Sequence, residues 1–150
     1  MIVMVTGHRP QRLRGQEKEV SAAVGELLDQ LKPDKAISGM AAGADQIFAM
    51  EAIDRNIPLY CYFPYPRQHY HPQEEYIMER CAGSRNICDK YSKESYVIRD
   101  KAMVDDSDIV IAVWDGIEQG GTWNTIDYAR KRGKEIKYIM INYSMTNYNS

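Results

Sequence analysis

Short runs of consecutive apolar residues alternate along this chain with longer stretches in which apolar positions recur every three or four residues. The clearest run lies between Asp108 and Trp114, where Ile109, Val110, Ile111, Ala112 and Val113 follow one another without a polar break. Ile2 to Val5 and Ile57 to Phe63 are runs of the same kind, and Lys35 to Ile37 and Ile136 to Ile141 are mainly apolar runs with one lysine each. A strand with one wet face would alternate, so unbroken runs predict strands buried on both faces of a parallel sheet. Between them, Gln16 to Leu31 places Val20, Ala23, Val24, Leu27, Leu28 and Leu31 at helical spacing and stops at Pro33. Further helices are expected from Gln46 to about Arg55, Pro72 to about Cys81, Glu94 to Asp106 and Thr122 to Arg132. A short strand is expected over Asn86 to Lys90, and loops over residues 6–10 and 67–71. The alternation predicts one α/β domain over residues 1–143, with a mainly parallel sheet and helices on both faces, followed by a polar tail at residues 144–150.

In such a sheet, ligands bind beyond the carboxyl ends of the strands. Three glycine-bearing loops are expected at that edge. The first is Thr6-Gly7-His8-Arg9-Pro10, where Arg9 suits a phosphate bidentately and His8 can donate to an anion. The second is Ser38-Gly39-Met40-Ala41-Ala42-Gly43-Ala44-Asp45, a strand, glycine loop and helix start in the order that makes an anion site. Asp45 there is either a favourable charge on the helix dipole or an acceptor for a ribose hydroxyl. The third runs from Asp115 to Asn124 and holds Gly120-Gly121-Thr122, which either cradles a phosphate or forms a turn with Thr122 as helix N-cap. Asn124 is a second candidate reader of ribose hydroxyls, and Trp114, Trp123 or a tyrosine a candidate platform for a base. Neither G-x-G-x-x-G after the first strand nor G-x-x-x-x-G-K-[ST] occurs, which disfavours a conventional NAD dehydrogenase or P-loop NTPase.

Composition narrows the partners. A net charge of −2 gives no global pull toward nucleic acid or an anionic membrane, so nucleic acid is an unlikely partner. No apolar run is long enough to span a bilayer and the first residues do not read as a signal peptide, so a cytoplasmic location is expected. Three cysteines (Cys61, Cys81, Cys88) without framework spacing read as reduced thiols, and with His69 and His71 they fit none of the paired zinc patterns. No metal and no cofactor is expected. Eleven tyrosines supply flat amphipathic area, mostly at the rim of an ordinary core, with a homo-oligomer interface as the alternative.

The three loops, the Pro64 to Gln68 turn, Met103-Val104-Asp105-x-Ser107-Asp108 and Gly120-Gly121-Thr122 occur in an order that resembles the YpsA-like branch of the SLOG superfamily, named for the Smf/DprA and LOG proteins. The resemblance runs from Thr6 to about Ile141. It implies a Rossmann-like fold whose glycine loops bind nucleotides or ADP-ribose-like ligands; YpsA-like members occur in Gram-positive bacteria and their phages. Two departures stand out. LOG enzymes carry a glutamate shortly after their glycine loop, and here Trp123-Asn124-Thr125-Ile126-Asp127 follows instead. Where related sequences commonly read Arg-Asn, this one reads Arg99-Asp100, which leaves Arg99 a candidate phosphate or subunit contact.

The expectation is therefore a protein that binds a nucleotide-derived or ADP-ribose-like small molecule, as a sensor or a sequestering pocket of host or phage origin. The first alternative is a hydrolase of an N-glycosidic or phosphate bond, with His8, Asp45 and Asp115 as the acid/base groups on the expected edge. The second is a DNA-associated scaffold of DprA-like type.

Overall fold

A computed structural model describes residues 1–142; the polar tail expected at 144–150 lies outside the described residues. Twelve elements follow in the order β1 (Ile2–Gly7), α1 (Pro10–Leu13), α2 (Glu17–Leu31), β2 (Lys35–Ser38), α3 (Ala44–Asp54), β3 (Leu59–Phe63), α4 (Pro72–Arg80), β4 (Gly83–Asn86), α5 (Ser95–Asp105), β5 (Ile109–Trp114), α6 (Gly120–Lys131) and β6 (Glu135–Met140). The six strands are all parallel, in the order β4-β3-β2-β1-β5-β6.

Strand parity divides the core. On one face Val3, Val5, Ala36, Leu59, Cys61, Phe63, Ile109, Ile111 and Val113 pack against Val20, Val24 and Leu28 of α2, Phe48, Ala49 and Ala52 of α3, and Ile77 of α4. On the other, Met4, Ile37, Tyr62 and Val110 meet Met103 and Val104 of α5 and Ala129 of α6. A period-two strand buried on both sides needs apolar residues at every position, which is why β5 reads as an unbroken run. The fold is thus a single α/β domain of Rossmann-like architecture. The chain steps outward from β1 to β4 with helices on one face, then returns through α5 to β5 on the other side of β1. That reversal opens a crevice between the ends of β1 and β5, the place where doubly wound sheets hold ligands. Val5↔Ile111, Thr6↔Ala112 and Gly7↔Val113 set the register on its floor.

Two elements differ from expectation. The fourth strand is Gly83–Asn86 rather than Asn86 to Lys90. It is an edge strand of polar residues joined to β3 through backbone pairing, so hydropathy carries no signal for it. Residues 10–13, given no element beyond the loop that was expected to end at Pro10, form a single helical turn that starts on Pro10 and buries Leu13 completely. Among the described residues no helix is long and apolar enough to cross a membrane, and no cluster of His, Cys, Asp and Glu has metal-binding geometry.

Candidate functional site

The crevice at the end of β1 holds a cavity of ≈ 410 Å³. Of the residues singled out in the sequence, Thr6, Gly7, His8, Arg9, Asp45, Arg99, Gly120, Gly121 and Thr122 line it. Three separate loops and α5 therefore converge on one space.

The wall formed by α6 follows from its start. Its N-cap residue is Gln119, in extended conformation and with no side-chain cap bond, so Thr122 is the third helical residue and not the N-cap. The first N–H groups of a helix have no intrahelical acceptor. Here no side chain caps them, and Gly120 and Gly121 put no Cβ in front of them: one built at either position would meet nothing within 4 Å. Arg9 and Arg12 form another part of the cavity wall. Arg12, on the unexpected turn α1, is bonded to the buried carboxylate of Asp115.

Asp115 braces this wall from below. Besides Arg12, its Oδ1 accepts from the Ile117 N–H (3.0 Å), while its own N–H donates to His8 Nε2 (3.2 Å). Burial pushes the His8 pKa down against the nearby Asp115 charge, which pulls it up. The same Nε2 also lies 3.3 Å from Asp115 Oδ1.

The Ser38 loop is bonded into itself. Ser38 Oγ donates to the Asp45 carbonyl (2.8 Å) and accepts from the Met40 N–H (3.2 Å). Gln46 Nε2 donates to the Met40 carbonyl (3.1 Å), which holds Met40 at φ +63°, an uncommon conformation for a residue with a side chain. Asp45 Oδ2 accepts from the Ala41 N–H (3.2 Å). Gly43 is a seam: at φ +100° it lets the Ala44 N–H reach the His8 carbonyl (3.1 Å), tying α3 to the first loop.

Arg99 crosses beneath both loops. Its Nη1 donates to the carbonyls of Gly39 (2.7 Å) and Tyr62 (3.3 Å), and its Nε to Asp100 (2.7 Å). Desolvation pushes the Asp45 carboxyl up to about 6, against the pull of Arg99. Burial likewise pushes Asp100 up, again against Arg99. A buried carboxylate beside a guanidinium would ordinarily titrate low; in this cleft loss of water outweighs the attraction.

The other residues singled out lie elsewhere. Gly39 and Met40 line a smaller cavity next door. Asn124 lines a groove between α5 and α6. Ser38 is buried as a loop brace, the Asp115 side chain is buried as a support, and Gly43 is the half-buried seam. Trp114 is covered by Trp123, stacked at 5.6 Å and 15°, and its Nε1 donates to the Ile117 carbonyl (3.0 Å). Sequence reasoning left out Asp100, Tyr96 and Gln119, which also line the main cavity, and gave Arg12 no role. Only Asp100, beside Arg99, carried a local signal. The Cys61 thiol is buried and pushed up, which makes it a poor nucleophile.

No protein-family model matches the sequence, and no curated protein matches it. Solved structures do resemble it. DNA processing protein A from Streptococcus pneumoniae aligns with 97% of this chain at a TM-score of 0.72 and 17% identity, over 52% of its own length. DNA processing protein A from Helicobacter pylori, described for its single-stranded DNA binding mode, aligns with 92% of this chain at 0.69 and 19% identity, over 64% of its length. The chain thus spans between about half and two thirds of those proteins. The molybdenum cofactor binding protein of the phototrophic bacterium Rippkaea orientalis aligns with 99% of this chain at 0.66 and 18% identity, over 80% of its length. At such identities the likeness is one of fold.

Proposed function

We propose that this chain, as a YpsA-like member of the SLOG superfamily, holds a nucleotide-derived or ADP-ribose-like small molecule at the carboxyl edge of its sheet, as a sensor or a sequestering protein of host or phage origin. One observation carries this reading: the uncapped, glycine-opened start of α6 and the guanidinium-bearing residues Arg9 and Arg12 line one ≈ 410 Å³ cavity at the sheet's switch point. In this reading the first N–H groups of α6 and Arg9 take a phosphate, and Asp45 accepts from a ribose hydroxyl. Likeness to a cofactor-binding protein favours holding over turnover. The exposed Tyr91, Val97 and Ile98 favour a homo-oligomer.

A second reading rests on Asp45. It lines the main cavity, and burial pushes its carboxyl up to about 6, so it keeps part of its proton close to neutrality and would act as the general acid of a cleavage in place of the missing glutamate. A third rests on the DNA processing proteins of the same fold, which argue against setting nucleic acid aside on net charge alone.

The experiment incubates the protein with AMP, ADP-ribose, NAD, cyclic nucleotides and single-stranded DNA, then releases the bound fraction by heat for chromatography. Intact nucleotide at protein stoichiometry supports binding, and free base or new phosphate supports the hydrolase. Ligand at a hundred times its Kd adds about 2.7 kcal/mol, a melting shift of several degrees. No shift with any nucleotide defeats the first reading. DNA retention that falls steeply with salt supports the third.

A further inference from the structure

Charged groups from three parts of the chain meet in the ≈ 410 Å³ cavity. Arg9 follows β1, Asp45 lies in the first turn of α3, and Arg99 and Asp100 are neighbours on α5. We propose that Asp45 and Asp100 make the cavity a site for an anion together with a proton: a phosphate settling on Arg9 and the start of α6 draws a proton onto this carboxyl pair. That rests on the nucleotide reading of the cavity, and it adds the protonation state in which the ligand is held.

The two carboxyls share one close guanidinium. Arg99 Nε donates to Asp100 Oδ1 (2.7 Å), but its Nη1 is spent on the Gly39 and Tyr62 carbonyls. Asp45 Oδ2 accepts from the Ala41 N–H (3.2 Å). Asp100 Oδ2 lies 3.5 Å from Thr125 Oγ1, whose single proton is better placed on the Gly121 carbonyl at 3.0 Å. Asp100 is thus one side chain away from the first turn of α6, and with Gly121 it lines both the cavity and the groove beside it. A phosphate on the first N–H groups of α6 enters a space that already holds two carboxyls.

Like charges in a confined, partly dry space do not all stay ionised. Burial already pushes the Asp45 carboxyl up to about 6 and pushes Asp100 up as well, while Arg99 and Arg9 pull both down. A phosphate paired with Arg9 cancels part of that pull and adds negative charge of its own. Both changes strengthen the hold of the pair on a proton, and by linkage the protonated pair holds the anion more tightly. The cations around the pair are otherwise engaged. Arg12 is bonded to Asp115, Arg67 to Glu74 and Lys131 to Asp127, and Lys101 lies over the Tyr128 ring. His8 and Tyr96 complete the titratable groups of the wall, and burial holds the His8 ring below its usual range.

The test is calorimetric titration of the full chain with ADP-ribose at pH 6.5, 7 and 8, each in two buffers of different ionisation enthalpy. The bridging phosphates of this probe are diesters and stay anionic throughout. Wild type is expected to bind about fivefold or more tightly at pH 6.5 than at pH 8, and to take up about half a proton or more per ligand at pH 7. Asp45→Asn and Asp100→Asn keep an oxygen for the Ala41 N–H and the Arg99 Nε but do not titrate. Each is expected to bind more tightly than wild type at pH 8, with its pH dependence reduced to less than about twofold. Asp45→Asn keeps the comparison available if Asp100→Asn fails to fold. A slope lost in one variant alone places the proton on that carboxyl and supports the proposal. Equal wild-type affinity at all three pH values without proton uptake would overturn it and leave the nucleotide reading standing. A slope that survives in both variants would pass the proton to His8 and overturn it too. If wild type binds no ADP-ribose at any of these pH values, the nucleotide reading falls and takes the proton site with it.

Discussion

In the loop after β2, a Cβ added to Gly43 would lie 2.4 Å from the His8 carbonyl, and one added to Gly39 would lie 2.9 Å from the Arg99 guanidinium. At the start of α6, one added to Gly120 or Gly121 would meet nothing within 4 Å. Both segments are glycine loops between a strand and a helix at one sheet edge, and either could be read as a phosphate cradle. The first uses its glycines to let backbone and side chains approach, and its hydroxyl, amide and carboxylate groups bond within the loop and to its neighbours. The second uses them to leave helix N–H groups uncovered. A glycine that something presses against serves the fold. Gly120 also answers a backbone need, at φ +90°; Gly121, outside the left-handed region and with empty space in front of it on a cavity wall, is the one that leaves room for a ligand.

The largest expected effect breaks the first loop. Gly43→Ala combines a left-handed φ of +100° with a clash against backbone, and neither the His8 carbonyl nor the α3 start can retreat without losing their mutual bond. The loss should be about 3 kcal/mol or more, read by urea denaturation, or failure to yield folded protein. Wild-type stability in this variant would remove the distinction between the two loops.

Next is Arg99→Met. The side chain is nearly fully buried and holds the Gly39 and Tyr62 carbonyls together with Asp100. Removing it leaves these acceptors without a donor in a dry site, for an expected loss of about 3 kcal/mol. Arg99→Lys should recover less than half of that, since an ammonium cannot span the same fork. Full recovery by lysine would mean that charge alone braces the loop.

Much of this division was out of reach of the sequence for identifiable reasons. β5 and β1 were legible because burial on both faces leaves an unbroken apolar signature. β4 was not, because an edge strand pairs through backbone and its residues Gly83-Ser84-Arg85-Asn86 carry no pattern. The loops around Thr6, Asp45 and Gly120 were placed at one edge by topology alone. Which of their side chains face the cavity depends on contacts distant in sequence. Asp115 is turned under Arg12, 103 residues away. Trp114 is covered by Trp123, and Arg99 reaches Gly39 across 60 residues. No local spacing encodes those.

A pH series sharpens the comparison from the cavity side. Asp45 titrates near 6 in the folded chain, against an ordinary value near 3.8. The folded state therefore binds the proton more tightly, and stability falls as pH rises from about 4 to about 6, with the whole penalty present above that. The full shift corresponds to about 2 to 3 kcal/mol as an upper figure, less after allowance for the residue's partial exposure. His8 runs the other way, since its lowered pKa removes stability as pH falls through the usual histidine range. The difference between wild type and Asp45→Asn cancels that histidine contribution. Asparagine keeps an oxygen for the Ala41 N–H, so the variant should gain stability at pH 7 by about 1 to 2 kcal/mol, with the gain vanishing near pH 4. A gain that does not change with pH would place the Asp45 carboxyl in ordinary contact with water.

The smallest expected effect on stability is at Gly121, and it is the most informative about ligand. Gly121 lies in the first turn of α6 at a φ outside the left-handed region, with open space where a Cβ would go. Gly121→Ala should leave stability within about 0.5 kcal/mol of wild type or raise it slightly, because alanine restricts the unfolded chain and favours the helix. Gly121 lines both the ≈ 410 Å³ cavity, beside the uncapped N–H groups, and the groove between α5 and α6, so the methyl takes room where a ligand would sit. Affinity for AMP or inorganic phosphate should then fall by about tenfold while the melting temperature of the free protein holds. Loss of stability without loss of affinity would reverse the roles assigned to the two loops. The phosphate would then belong to the Ser38 loop, and the open glycines of α6 would be an ordinary helix start.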